Sequence, residues 1–147
     1  MIKGVVKAVN ISTRKGVVKT PVESGLFIED FGMKGDAHAG PGNRQVSLLA
    51  QESVDKMIKI TGKEDLCEGV FAENLTTEGI ELYTLPVGTK LKIGETLHQV
   101  SQIGKECHAG CAIMKQVGQC IMPREGIFTK VLSGGTVKPG DSIEVIK

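Results

Sequence analysis

Tryptophan is absent from this 147-residue chain, and its aromatic residues number five: four phenylalanines and Tyr83. So few rings exclude the stacking platforms that single-strand nucleic-acid binders need. An excess of charge is also missing. Eighteen Lys and Arg against 17 Asp and Glu leave a formal net charge of +1, so no global field draws the chain to nucleic acid or to an acidic membrane. Any anion site must therefore be local. No apolar run approaches the ~20 residues of a membrane-spanning helix. The opening "MIKGVVKAVNIS" alternates and carries lysines, which fits neither a signal peptide nor a transit peptide. These absences predict a cytoplasmic protein with neither nucleic acid nor membrane as partner. In a reducing compartment its four cysteines are expected to be free thiols or ligands, not disulfide staples. Repeats, low-complexity tracts and linkers are lacking, and the length fits one domain over residues 1–147, able to bury a core without metal or disulfide help.

Glycine, by contrast, is plentiful, with 19 residues that mark many tight turns between short elements. "KGVVKAVNIS" alternates as a strand, "GVVKTPVES" and "GLFIEDFGM" read as shorter ones, and "QVSLLA" as another. In "AQESVDKMIKITG" the spacing of Ala50, Val54, Met57 and Ile58 predicts an amphipathic helix, with Gly62 as its stop. "LCEGVFAENLTTEG" reads as loop with a brief helix around Leu66. Strands return through Leu91 and Ile93, from Leu97 to Ile103, and in the last segment around Ile143 and Val145, each set off by a glycine-containing turn. "AGCAIMKQVG" predicts a short helix. Many short strands with one clear helix favour a mainly β (α+β) fold, a β-barrel with flanking helices.

Two stretches carry chemistry. The first, "MKGDAHAGPGNR", places Lys34, Asp36, His38 and Arg44 among glycines that let backbone N–H groups approach a ligand. Lys and Arg suit phosphate, Arg bidentately. Asp36 and His38 stand two apart and would face one side of an extended segment. The spacing matches neither a Walker nor a dinucleotide motif. The plainer alternative is a solvated turn whose aspartate caps nearby backbone. Further on, Glu73 could pair with Arg44 or accept from a ligand, and Asn74 could bond a ligand amide, although Asn in such a place more often serves a local turn.

The second stretch is "IGKECHAGCAIMKQVGQCIMPREG", with Cys107, His108, Cys111 and Cys120. Structural zinc prefers two closely spaced ligand pairs, and only one is present, so a zinc-stabilised domain using Cys107, His108 and Cys111 is the weaker choice. Cys67, Cys111 and Cys120 have apolar neighbours, as buried cysteines do. Cys107 has Lys105, Glu106 and His108 beside it, before a small-residue run suited to opening a helix. That setting lowers a thiol pKa and favours thiolate as nucleophile or soft metal ligand. Cys107 is thus the first candidate for reactive thiol and Cys111 the second. Arg124, in "MPREGIF", is either a phosphate ligand or a surface charge.

The order and spacing of "GMKGDAHAG", "NRQVSLLAQESV", "GVFAENLTTEGIEL", "LPVGTKLKIGETLHQV", the Cys107 segment and "REGIFTKVLSGGTVKPGDSI" resemble the MOSC domain family, named for the C-terminal part of molybdenum cofactor sulfurases, and within it the small stand-alone bacterial type. The resemblance implies a mixed β-barrel and a bound molybdenum cofactor, a pterin that carries a phosphate and a dithiolene-held metal. It implies that Cys107, or Cys111, binds the metal or carries sulfur as a persulfide. Lys34, Asp36, His38, Arg44, Glu73 and Asn74 fall where the family lines its cleft, with His108 and Arg124 near the thiol. No pyridoxal phosphate site is recognised. The implied roles are sulfur transfer or cofactor delivery, with a sulfur donor or a molybdoenzyme as partner. The alternatives are a Cys-ligated molybdenum reductase of N-hydroxylated compounds fed by an external electron donor, or a non-enzymatic zinc-stabilised binding domain.

Overall fold

Alternation dictates the barrel wall. In strand β7, Lys90–Ile93, the lysines are exposed while Leu91 and Ile93 are fully buried. The same in–out rhythm, interrupted by two register shifts against its neighbour, runs through β8, Thr96–Ile103. The computed structural model describes residues 2–14, 18–62, 73–104 and 125–146. Its remaining elements are β1 (Lys3–Ile11), β2 (Thr20–Val22), β3 (Gly25–Ile28), β4 (Gly32–Met33), β5 (Val46–Ala50), α1 (Gln51–Thr61), β6 (Leu75–Glu78), a 3-10 turn (Leu82–Thr84), β9 (Ile127–Ser133), β10 (Gly135–Val137) and β11 (Ser142–Ile146).

Seven strands pair in the order β11-β7-β8-β9-β5-β6-β1, and β1 pairs with β11 to close the ring. The β5–β6 pair is parallel and the other pairs antiparallel, so the barrel is mixed. Closure removes exposed edges, and β2 extends the wall beyond β1. A second sheet, β10-β3-β4, lies against β8 and β9. Val6, Val9, Val46, Leu48, Leu75, Leu91, Ile93, Val100, Ile127, Val131 and Ile143 fill the core, and Phe27 and Met33 join it from the small sheet.

The parallel pair needs a crossover, and α1 supplies part of it. It lies against β5 and β6, with Val54 and Met57 buried. This is why every residue of β5 is buried: Val46, Leu48 and Ala50 enter the core while Leu49 is covered on the outer side. Gly62 ends α1 in the left-handed conformation, φ 73°, its N–H donating to Ile58 O, as the sequence predicts.

One strand departs from expectation. Leu75–Glu78 reads as loop in the sequence but forms β6, hydrogen-bonded to β1 on one side and β5 on the other. Thr76 and Thr77 are fully buried, so polar residues occupy both faces and no alternation marks the strand. The helices expected around Leu66 and in "AGCAIMKQVG" lie outside the described residues.

Candidate functional site

The loop 34–44 leaves β4 and returns into β5, and its shape is set by Asp36. The carboxylate accepts from Ser12 N at 3.1 Å through Oδ1 and from His38 N at 3.1 Å through Oδ2. The second bond closes a turn, which Ala39 N continues by donating to Asp36 O. Asp36 and His38 do face each other, with Nδ1 3.8 Å from Oδ2, but a turn brings them together where the sequence suggested an extended segment. Nor is the turn solvated at its aspartate: the Asp36 side chain is fully covered.

Lys19, which no sequence motif singles out, completes the arrangement. Its ammonium is fully buried and lies 2.8 Å from Asp36 Oδ1, 3.0 Å from Ser12 Oγ and 3.1 Å from His38 Nδ1. Burial pushes the Asp36 carboxyl up, but the Lys19 hydrogen bond and charge, with smaller help from Ser12 N–H and Asn74, outweigh it and hold the pKa below the usual carboxylate value. His38 itself is partly exposed and reaches the surface.

Beyond His38 the loop forms one wall of an open groove of about 510 Å³, lined by His38, Ala39, Gly40, Pro41, Asn43, Arg44 and Gln102. Gly40 and Gly42 sit at φ 144° and 127°, and among the described residues no atom beyond their chain neighbours lies within 4 Å of where a Cβ would stand on either. The exposed Arg44 donates from Nε to Gln102 Oε1 at 3.2 Å and lies 5.5 Å over the Phe128 ring. Glu73, expected as a possible partner for Arg44, instead accepts from Thr76 Oγ1 at 2.8 Å and is fully buried. Lys34 is exposed on the same loop but does not line the groove.

Behind the groove the anchoring is polar and buried. Asn74 Oδ1 accepts from Ser47 N and Oγ, and its Nδ2 donates to Asn10 O, which ties β1, β5 and the start of β6 together. Gln45 donates to Asp30 Oδ1 and accepts from Val131 N, fixing the point where the loop enters the barrel.

The groove sits where the cysteine-bearing segment leaves and rejoins the barrel. Ser101 Oγ donates to Asn43 O, Gln102 Nε2 donates to Gly104 O at 2.8 Å, and Gly104 N donates to Gly126 O at 2.7 Å. On the return side Glu125 is held by Lys56 at 3.0 Å and by Ser53. Cys107, His108, Cys111 and Arg124, and with them the zinc ligand set, lie outside the described residues. Among the described residues no group of His, Cys, Asp and Glu is placed to hold a metal ion, and no helix is long and apolar enough to cross a membrane.

A further histidine escapes a motif search because it is part of the core. His98, fully buried on β8, stands 2.8 Å from Thr129 Oγ1 and 2.8 Å from Thr96 Oγ1, with its ring edge-on to Phe27. The Thr96 hydroxyl donates to Ile93 O, so it accepts from His98 Nε2–H, and Nδ1 accepts from Thr129. Burial pushes this imidazole down to about 3, and it is neutral.

A closed mixed barrel with an open polar groove beside one wall defines a small β-barrel domain. The MOSC domain family model matches residues 34–144, and the chain belongs to that family, which is associated with molybdenum-cofactor-related proteins. The uncharacterized protein YflK of Bacillus subtilis (strain 168) is 27% identical over 144 residues, covering 89% of this chain and 63% of YflK, so the chain spans less than two thirds of that relative. Among solved structures, the YUAD protein from Bacillus subtilis superposes with a TM-score of 0.77 at 18% identity, over 97% of this chain and 95% of that one. YiiM from Geobacillus stearothermophilus gives 0.75 at 21% identity, over 99% and 75%. YiiM from Escherichia coli gives 0.72 at 18%, over 100% and 71%. These likenesses establish the fold.

Proposed function

We propose that the protein binds the molybdenum cofactor in the groove between the 34–44 loop and the end of β8, and handles the cofactor's metal or sulfur through Cys107. The observation that carries this reading is the Arg44–Gln102 contact, 3.2 Å, which joins the cation-bearing loop to the strand end from which the cysteine segment departs. Cys107 follows Gly104 by three residues, and three residues of chain reach at most about 11 Å.

The residues present suit the phosphate end of such a ligand. Arg44 offers a forked donor fixed over Phe128. Gly40 brings no Cβ to the groove wall, so a ligand can approach the backbone closely at that point. Lys34 adds positive potential from the loop surface. A volume of about 510 Å³ lies in the usual range for small-molecule sites. Asp36 and Asn74 support the loop and the barrel wall from behind.

When bound, the cofactor supplies a thiophilic metal, for which thiolate is a fitting ligand. The chain's own contribution is to hold the phosphate at Arg44 and present the Cys107 thiolate. In the sulfur-carrying role that thiolate takes a sulfane sulfur from a donor persulfide, whose own thiolate leaves, and passes this outer sulfur to a nucleophilic acceptor, with the Cys107 thiolate as leaving group. Cys111 is the alternate thiol.

The test is Cys107→Ser in protein co-expressed with a cofactor pathway, with molybdenum, pterin and persulfide measured together. Loss of molybdenum or persulfide with an unchanged fold is expected. Full retention of all three sinks the Cys107 role and transfers it to Cys111.

A further inference from the structure

Val100 of β8 pairs with Thr129 of β9, and Gln102 pairs with Phe128, the adjacent residue. Ser101 is therefore an extra residue, a β-bulge. Successive residues of a regular strand point to opposite faces. The buried side of β8 runs through Thr96, His98 and Val100, and regular alternation would add Gln102 to it. With the bulge, Gln102 is instead half-buried and lines the groove. Ser101 and Gln102, neighbours in sequence, both reach the 34–44 loop and take neighbouring residues of it. Ser101 Oγ donates to Asn43 O, and Gln102 Oε1 accepts from Arg44 Nε at 3.2 Å. A guanidinium can only donate and a carbonyl can only accept. The contacts of Gln102 to Arg44 Nε and to Gly104 O therefore agree on one orientation of its amide. The 2.8 Å bond to Gly104 O ties that amide to its own strand end and fixes the acceptor offered to Arg44.

We infer that the Ser101 bulge presets Arg44 for an oxyanion: Gln102 is a positioning residue that holds Nε and leaves the terminal nitrogens of the guanidinium as a fork for phosphate oxygens in the groove. Those terminal N–H groups make no hydrogen bond among the described residues. The Phe128 ring, 5.5 Å from the guanidinium carbon, restrains the group from a second side. An exposed arginine loses rotamer freedom when it binds, and one already held at Nε loses less. The holding group is also neutral. A carboxylate in its place would accept from Nε as well, but would compete with the anion for the charge. Gln102 acts through Arg44 and through no charge of its own. The phosphate ligand rests on the function proposed above; the preset guanidinium does not.

The experiment is nitrogen-15 NMR of the arginine Nε–H groups in protein free of cofactor. The chain has three arginines, Arg14, Arg44 and Arg124, and the Arg44 signal is assigned by its loss in Arg44→Lys. At mildly acidic pH the Arg44 Nε–H should exchange with water more slowly than that of the exposed Arg14. In Gln102→Met this protection should disappear. Titration with inorganic phosphate should shift the Arg44 signal to saturation. Followed at the Gly40 amide, phosphate affinity should fall roughly three- to ten-fold in Gln102→Met, the scale of one hydrogen bond. Gln102→Glu should cost more than Gln102→Met. In an Arg44→Ala background Gln102→Met should add nothing, because the residue it acts through is gone. An Arg44 Nε–H as fast as that of Arg14, or equally protected in Gln102→Met, overturns the proposal. So does an equal loss from Gln102→Met with and without Arg44, which would be a structural effect of the strand end. A wild-type titration that leaves Arg44 unmoved overturns the oxyanion fork. Retention of cofactor by Cys107→Ser is a separate result, since none of these readings involves the thiol.

Discussion

Nζ of Lys19 stands 2.8 Å from Oδ1 of Asp36, and neither side chain is exposed to solvent. A charge pair so placed is a liability as well as a brace. Removing one partner leaves the other charge buried without its counter-ion, whereas removing both leaves no such charge. Asp36→Asn or Lys19→Met alone is expected to destabilise the fold by about 3–5 kcal/mol. Lys19→Met/Asp36→Asn should cost clearly less than the sum of its single changes. Urea unfolding of the four proteins checks this. Additive losses would mean that the two side chains are not coupled.

Acid should unfold the protein in two overlapping stages. His98 is neutral in the folded state, with its pKa pushed from 6.5 to about 3, so below 6.5 the unfolded chain binds the proton that the folded one refuses. Its contribution is complete above 6.5 and is lost as pH falls toward 3, at about 1.4 kcal/mol per pH unit once the unfolded imidazole is protonated. Asp36 acts lower. Its folded pKa lies below 3.8, so its contribution is present above that value and disappears as pH falls through the folded pKa. In His98→Leu/Thr129→Val, which also removes the hydroxyl that would lose its acceptor, the slope of stability between pH 6.5 and 4 should flatten. An unchanged slope would assign the acid sensitivity to other groups.

The contrast between His98 and His38 shows how far residue types can carry a reading. The hairpin β7–β8, the α1 stop at Gly62 and the closing strand β11 were legible because turn glycines and alternation act locally. β6 was not, because a strand buried on both faces by threonines has no polar side to reveal it. In the loop, Asp36 and His38 were marked by their chemistry, but the residue that organises them is Lys19, 17 positions earlier than Asp36. No local rule distinguishes it from the surface lysines around it. Asn74 was visible as a turn former or a ligand contact, and its partners Ser47 and Asn10 came into view only with the pairing of β1, β5 and β6.

Arg44 and Lys34 should differ in how they serve a phosphate. Arg44 lines the groove with its guanidinium set against Gln102 and Phe128, so part of its ordering is already in place. Lys34 is exposed and outside the lining, and acts through water as a point charge. Arg44→Ala is expected to weaken cofactor retention by roughly ten-fold or more, the scale of one charge-assisted hydrogen bond. Arg44→Lys should recover only part of this, since the ammonium keeps the charge without the fork. Lys34→Ala should have a smaller effect that fades as salt is raised, and the two changes should multiply if the sites are independent. Cofactor titration at low and high ionic strength separates these contributions. If both variants bind as the wild type does, and none of the affinities responds to salt, the phosphate is held elsewhere and the groove loses its assigned ligand.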